Sequence, residues 1–247
     1  MEAYALTDVG QKRSMNQDSV YARTKSIGSL ENLFIVADGM GGHQAGDFAS
    51  NFVVENLVRF FEMPYPERDV HGILKEGIRK VNRDLYECTS RDPKLNGAGS
   101  TLVLATIKGS VLYVANIGDS RLYLLREALE QITKDHSYVE ELVAMGKLKR
   151  GSRDYLEKKN IITRAVGVSA QVDTDLFALK LKSGDQILMC SDGLSNMVDE
   201  LEIEYIIRSE DGVESRAKAL VDAANRSGGL DNISVVLVEP QISEVSL

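Results

Sequence analysis

The sequence predicts an α+β chain whose sheets are covered by helices, and three observations carry that reading. Short β-rich runs recur from one end to the other. Between them lie stretches with an apolar residue at every third or fourth position. The link Lys108-Gly109-Ser110 between two runs is of hairpin length, which makes at least part of the sheet antiparallel.

In chain order, an early strand follows Asp18, and the next run covers residues 33–37. Ala45, Ala49, Phe52, Val53, Leu57 and Phe60 then share one helical face, and Pro64 and Pro66 break the chain. Val70, Leu74, Ile78, Val81, Leu85 and Cys88 form a second such face. Strands follow at 101–107, 111–116, 121–125, 176–181 and 187–190. Val213, Ala217, Leu220, Val221 and Ala224 mark a late helix, and 233–238 is the last strand. Both ends of the chain carry pieces of one candidate site, so 1–247 is expected to be one domain. Residues 134–160 stand apart. They open with a short helix that Asp135 or Ser137 could cap, with Val139, Leu142 and Val143 on one face. The segment then becomes charged and aperiodic, with Lys147, Lys149, Arg150, Arg153, Lys158 and Lys159 against Asp154 and Glu157. It reads either as a solvated loop or as a mobile flap guiding an anionic substrate.

Composition narrows the function classes. With 247 residues and 43% hydrophobic side chains, the chain can bury a full core. Its net charge of −8 argues against nucleic acid or an anionic membrane as the main partner. No apolar run approaches the ~18 residues of a membrane span, and the start Met1-Glu2-Ala3-Tyr4 lacks signal-peptide character. Cys88 and Cys190 in apolar contexts suggest no disulfide framework, so a reduced, cytoplasmic setting is expected.

The informative residues are aspartates at strand ends: Asp38 after 33–37, Asp119 between two strands, Asp192 after 187–190, Asp231 just before the last strand, and Asp18 before an early one. A single Asp-Gly or Asp-Asn pair is ordinarily a turn. Several acids launched from apolar strands converge if those strands are neighbours, and crowded carboxylates repel unless a cation neutralises them. The donors are all oxygen, and His43, His71 and His136 are scattered without zinc-like spacing, so magnesium, manganese or calcium fits better than zinc. Gly39 after Asp38 leaves its carbonyl accessible as a further oxygen ligand. The glycines at 39, 41, 42 and 46 fail the nucleotide-loop patterns, because Gln44 occupies the third glycine's place and no Gly-Lys-Ser/Thr ending is present. A turn beside metal ligands is the better reading of them.

These residues lie in blocks that resemble a known family. The blocks are Thr7-Asp8-Val9-Gly10 through Arg13, Asn16, Gln17 and Asp18; Ala37-Asp38-Gly39-Met40-Gly41-Gly42-His43; Gly99-Ser100-Thr101; and Gly118-Asp119-Ser120-Arg121. They continue with Asp135-His136-Ser137, Ile162-Thr163-Arg164-Ala165-Val166-Gly167, Ser191-Asp192-Gly193-Leu194 and Asp231-Asn232-Ile233-Ser234. In this order, over nearly the whole chain, they resemble the PPM family, the metal-dependent protein phosphatases of type 2C, in its compact bacterial form. The resemblance implies a four-layer α-β-β-α sandwich of two antiparallel sheets flanked by helix pairs, with a flap at about 134–160. It implies hydrolysis of phosphoserine and phosphothreonine on proteins by a metal-activated water, with two Mn2+ or Mg2+ ions and room for a third.

By position, Asp38 would bridge the two ions, the Gly39 carbonyl would bind the second, and Asp192 and Asp231 would bind the first. Asp119 with Asp192 would hold the third. Asp18 would orient water, and Arg13 would clamp the substrate phosphate. Expected partners are phosphorylated proteins and a serine/threonine kinase whose action the chain reverses, with the chain a monomer. Two divalent ions would halve the formal charge of −8. One departure stands out: where many eukaryotic members carry a histidine proposed to protonate the leaving alkoxide, this chain has Met40. Water on the metal is then the expected donor, His43 and His136 are expected to be structural, and His71 is expected at the surface. Cys190, in an apolar strand, is not expected to be a nucleophile. Three other readings stand beside this one: a phosphatase for small phosphate esters, a catalytically dead regulatory module, and a plain calcium-binding protein. Retention of all the aspartates argues against the second, and the lack of an EF-hand loop argues against the third.

Overall fold

The computed structural model describes residues 1–42, 45–63, 69–209 and 211–242. Its strands form two wholly antiparallel sheets. The first contains β1 (Glu2–Asp8), β7 (Arg121–Leu125), β8 (Leu129–Gln131), β10 (Gln186–Cys190) and β11 (Ile233–Glu239), in the spatial order β1-β11-β10-β7-β8. The second runs β2-β3-β5-β6-β9, from β2 (Asp18–Arg23), β3 (Leu33–Met40), β5 (Leu102–Lys108), β6 (Val111–Ile117) and β9 (Asp175–Lys180); β4 (Gly99–Ser100) adds to the end of β3. The β5–β6 pair closes with Lys108 opposite Val111. Its turn is therefore Gly109-Ser110, with Gly109 at φ 58°, a conformation that costs glycine nothing. The first and last strands pair along their length, Glu2 opposite Glu239 through Asp8 opposite Ile233.

Three apolar layers hold four structural layers together. α1 (Ala45–Glu62) and α2 (Val70–Arg91) cover the second sheet through residues such as Leu57 and Leu74. α6 (Glu200–Ile207) and α7 (Val213–Arg226) cover the first through Ile203 and Leu220. Between the sheets pack Phe34, Val103, Leu122, Met189 and Val236. Strand β3 shows why its run is continuously apolar: Phe34 and Val36 point to the other sheet, while Leu33, Ile35 and Ala37 point to the helices. A strand buried on both faces loses the alternation of a half-exposed one.

Elements without a clean apolar face escape a reading by periodicity. Helix α6 exposes Leu201 (82%) and Tyr205 (80%), so its apolar residues lie on both sides. A short helix in the charged segment, α4 (Arg153–Lys158), buries no residue at all and rests on the Ser152 cap and the Arg153–Glu157 pair. Strands β1, β4 and β8 and the single-turn α5 (Asp192–Ser195) are likewise additions to the sequence reading. The short helix at the start of that segment, α3 (Tyr138–Ala144), is capped by Ser137, whose hydroxyl accepts from Glu140 N. Asp135 instead accepts a fork of bonds from Arg121.

Two further expectations change. Cys88 is exposed and Thr89 is buried in its place, because a helical face drifts from a fixed three-four spacing over several turns. His71 is not a free surface side chain: its Nε2 lies 3.1 Å from the Phe177 carbonyl and its ring stands edge-on to Tyr113. Among the described residues no helix is long and apolar enough to cross a membrane.

The layered packing sets a stability expectation. Leu57→Ala, at a site with no exposure, should lower unfolding free energy by about 2–5 kcal/mol. Leu201→Ala should change it by less than ~0.5 kcal/mol. Urea denaturation of both variants checks the contrast.

Candidate active site

The expected aspartates reach one place from both sheets. Asp18 and Asp38 face each other as partners across β2 and β3. Asp119 lies in the turn from β6 to β7, where the chain crosses from the second sheet to the first. Asp192 opens α5 straight after β10, and Asp231 stands just before β11. A cleft of about 270 Å³ is lined by Arg13, Asp38, Gly39, Asp119, Asp192 and Asp231. Asp18 is buried behind it, 6% exposed.

Backbone and hydroxyl groups hold these acids in place. Thr101 Oγ1 accepts from Asp38 N at 2.9 Å while Thr101 N donates to the Asp38 carbonyl. Thr101 Oγ1 also meets Ser120 Oγ at 2.7 Å, next to Asp119. A side chain at Gly39 would place its Cβ 2.0 Å from the Gly46 carbonyl and 2.6 Å from that of Gln17, so only glycine lets the backbone run there. Ser191 Oγ donates to Asp18 Oδ2 at 2.7 Å. The Asn232 amide fastens the loop that carries Arg13: its Nδ2 donates to the Val9 and Met15 carbonyls and its Oδ1 accepts from Gln17 N. Asn232, Thr101 and Ser191 stand within motifs of the sequence, but their tasks are not legible there, since the partners they hold are distant along the chain.

The electrostatics follow from crowding. Burial pushes the Asp18 carboxyl up to about 7; the Ser234 and Ser191 hydroxyls oppose this, and Asp192 and Asp231 add to it. Burial, then Asp18, Asp192, Asp119 and Asp231, lift Asp38 well above the ordinary range. Burial and then Asp192 take Asp119 to about 7. Burial and then Asp231 take Asp192 to about 6, with Lys159 pulling the other way. One oxygen each of Asp18 and Asp192 is buried without a protein partner. Carboxylates that repel, oxygen donors only, and buried oxygens left unbonded fit hard divalent cations.

Two placements depart from the expected roles. Arg13 Nη2 donates to Asp231 Oδ2 at 2.7 Å, so the expected phosphate clamp is paired with an expected ligand. Among the described residues no three His, Cys, Asp or Glu side chains form a closed ligand set around one point. Asp38, Asp192 and Asp231 share the cleft without converging on a single ion, and Asp231 is turned towards Arg13.

The remaining candidates sort by position. Met40 lines the cleft. His136 is buried at the base of the 134–160 segment: its Nδ1 accepts from Gly118 N and its Nε2 lies 3.2 Å from Asp175 Oδ2. It thus braces the turn that carries Asp119. His43 lies outside the described residues. Burial pushes the Cys190 thiol up to about 12, which removes it as a nucleophile. In the flap segment Arg150 is not free to steer a substrate, because Glu140 pairs with it and also accepts from the Tyr155 hydroxyl.

This fold coincides with that of a known family. The family model described as Protein phosphatase 2C matches residues 9–229. The chain is 38% identical over 253 residues to the serine/threonine phosphatase stp of Listeria monocytogenes, covering 99% of this chain and 98% of that one. Among solved structures, the S. agalactiae serine/threonine phosphatase superposes with a TM-score of 0.90 at 35% identity, covering 98% of this chain and 99% of the other. The catalytic domain of the serine/threonine protein phosphatase PstP, in complex with two manganese ions, gives 0.82 at 36% identity and 96% coverage of each. The chain therefore belongs to the protein phosphatase 2C family and is a protein serine/threonine phosphatase.

The crowded carboxylates predict a pH effect on the metal-free protein. A carboxyl raised in the folded state contributes stability below its unfolded pKa of roughly 4 and loses it as pH rises through the folded value. For Asp18, Asp119 and Asp192 that loss falls between about pH 4 and 7. With chelator present, Asp38→Asn should melt at a higher temperature than the parent at pH 8, and the gap should shrink at pH 5. Calorimetric melting at both pH values checks it.

Proposed function

We propose that this chain removes phosphate from phosphoserine and phosphothreonine of proteins in a reaction that depends on two Mn2+ or Mg2+ ions. The observation that supports it is the cleft itself: aspartates from separate segments of both sheets share about 270 Å³ with one arginine. Asp38, with the Gly39 carbonyl, Asp192 and Asp231, would hold the two ions, and Asp119 with Asp192 a third. Bound there, the ions would supply positive charge that activates water and offsets the charge of the phosphoryl group.

The chain's own side chains do the rest. Asp18 has a buried oxygen, Oδ1, without a protein partner and a raised pKa, so it can accept a hydrogen bond from the attacking water and hold its orientation. Arg13 is about half exposed and can exchange Asp231 for two bonds to the substrate phosphate. Its reach sets the reacting phosphorus at the mouth of the cleft, where a phosphorylated side chain on a protein surface can enter.

The acidic balance argues against nucleic acid as the main partner. The role we infer is to reverse bacterial serine/threonine kinases in the cytoplasm, acting as a monomer on phosphorylated proteins. Lys147 and Lys149 of the flap segment remain the candidates for guiding such a substrate.

Phosphate release from a phosphothreonine peptide should occur with manganese, and should be lost with chelator or in Asp38→Ala; turnover surviving both treatments would discard the mechanism. Arg13→Ala should lower kcat/KM about 10- to 150-fold, the equivalent of the roughly 1.5–3 kcal/mol of a charged hydrogen bond. Reversing Lys147 and Lys149 to glutamate should raise KM for a phosphoprotein more than for a small aryl phosphate, and equal effects on both substrates would reject steering.

A further inference from the structure

A run of side-chain contacts leads from the end of α4, in the charged 134–160 segment, to the acidic cleft. Lys159, at the C-terminal end of α4, donates from Nζ to Asn196 Oδ1 at 2.8 Å. Asn196, at the C-terminal end of α5, donates from Nδ2 to Asp192 Oδ2 at 2.9 Å. The other carboxylate oxygen, Asp192 Oδ1, is buried and makes no bond to protein. The three side chains line a second cavity of about 170 Å³ that also reaches Asp119.

Chemistry fixes the direction of this chain of contacts. An ammonium can only donate and a carboxylate can only accept, so the amide between them has a single satisfactory orientation. Asn196 therefore holds one oxygen of Asp192, sets its rotamer, and leaves Oδ1 as the oxygen able to meet a cation. Lys159 in turn holds the amide. The Asn196 backbone N–H separately closes α5 by donating to the Asp192 carbonyl. Removal of the side chain thus spares the turn.

We propose that Asn196 is a positioning residue that ties the location of the flap, through Lys159, to the geometry of Asp192. The proposal rests on the reading of Asp192 as a metal ligand. When the α4 end lies over the cleft, Lys159 completes the chain and Asp192 is held for the ion. When α4 moves away, Asn196 loses its partner and Asp192 is less well defined.

Calorimetric titration of Mn2+ into the metal-free protein, without substrate, tests this. Partners that orient a ligand typically contribute 10- to 100-fold to metal affinity, so Asn196→Ala should weaken Mn2+ binding by about 10-fold. Lys159→Ala, at a half-exposed position where folding is not at risk, should weaken binding by a smaller factor, and Lys159→Arg should restore it. In the Asn196→Ala background Lys159→Ala should add nothing, because the two act in series. Asp192→Ala serves as the reference. If Asp192→Ala weakens binding while Asn196→Ala stays within twofold of the parent, the positioning role is overturned. A full additional penalty from Lys159→Ala in the double variant overturns the relay. Unchanged Mn2+ binding in Asp192→Ala overturns the ligand reading and the proposal together.

Discussion

Like charges held close together at the end of a close-packed sandwich set the terms for everything near the cleft. Each close carboxylate pair costs on the order of a few kcal/mol at an effective dielectric of ~20, and burial adds to it. The acids are held together despite that cost by the packing of three apolar layers and by local bonds such as Ser191 to Asp18 and Arg13 to Asp231. The hydroxyls of Ser191 and Ser234 and the fixed positions of Thr101 and Asn232 then decide where each acid points. Such crowding leaves the acids under mutual repulsion, which a bound cation would relieve.

The crossing between sheets is the structural key. Strand β6 belongs to one sheet and β7 to the other, so the turn Gly118-Asp119-Ser120 carries an acid across the interface. Gly118 has φ +101°, and a Cβ there would meet the Thr101 side chain at 2.7 Å. The same Thr101 holds Asp38, and His136 holds Gly118 from the other side. Position at one acid of the cleft is therefore mechanically linked to position at the next.

The segment over the cleft is more structured than its charge suggests. Glu140 gathers Arg150 and Tyr155, which fastens α3 to α4, and Lys159 reaches down to Asn196. Much of the positive charge read as steering is thus spent internally. Lys147 and Lys149 are the basic residues just before Arg150 in the chain, and Arg150 already has a carboxylate partner.

The sequence alone settled the elements that bury a continuous apolar face, because such faces leave a period in the chain: α1, α2, α7 and the central strands were legible to within about three residues. It also singled out Asp38, Asp119, Asp192 and Asp231 by their places beside apolar runs, although β3 continues past Asp38 to Met40. Helix α4, with no buried residue, and α6, with apolar residues on both sides, left no period to read. Only the tertiary structure could decide which acids meet, that Arg13 pairs with Asp231, that Arg150 is held by Glu140, and that Lys159 touches Asn196. Apart from the Arg150–Glu140 pair, those are contacts between segments far apart in the chain. No local propensity encodes them, because their geometry is fixed only when two sheets and their helices pack as one body.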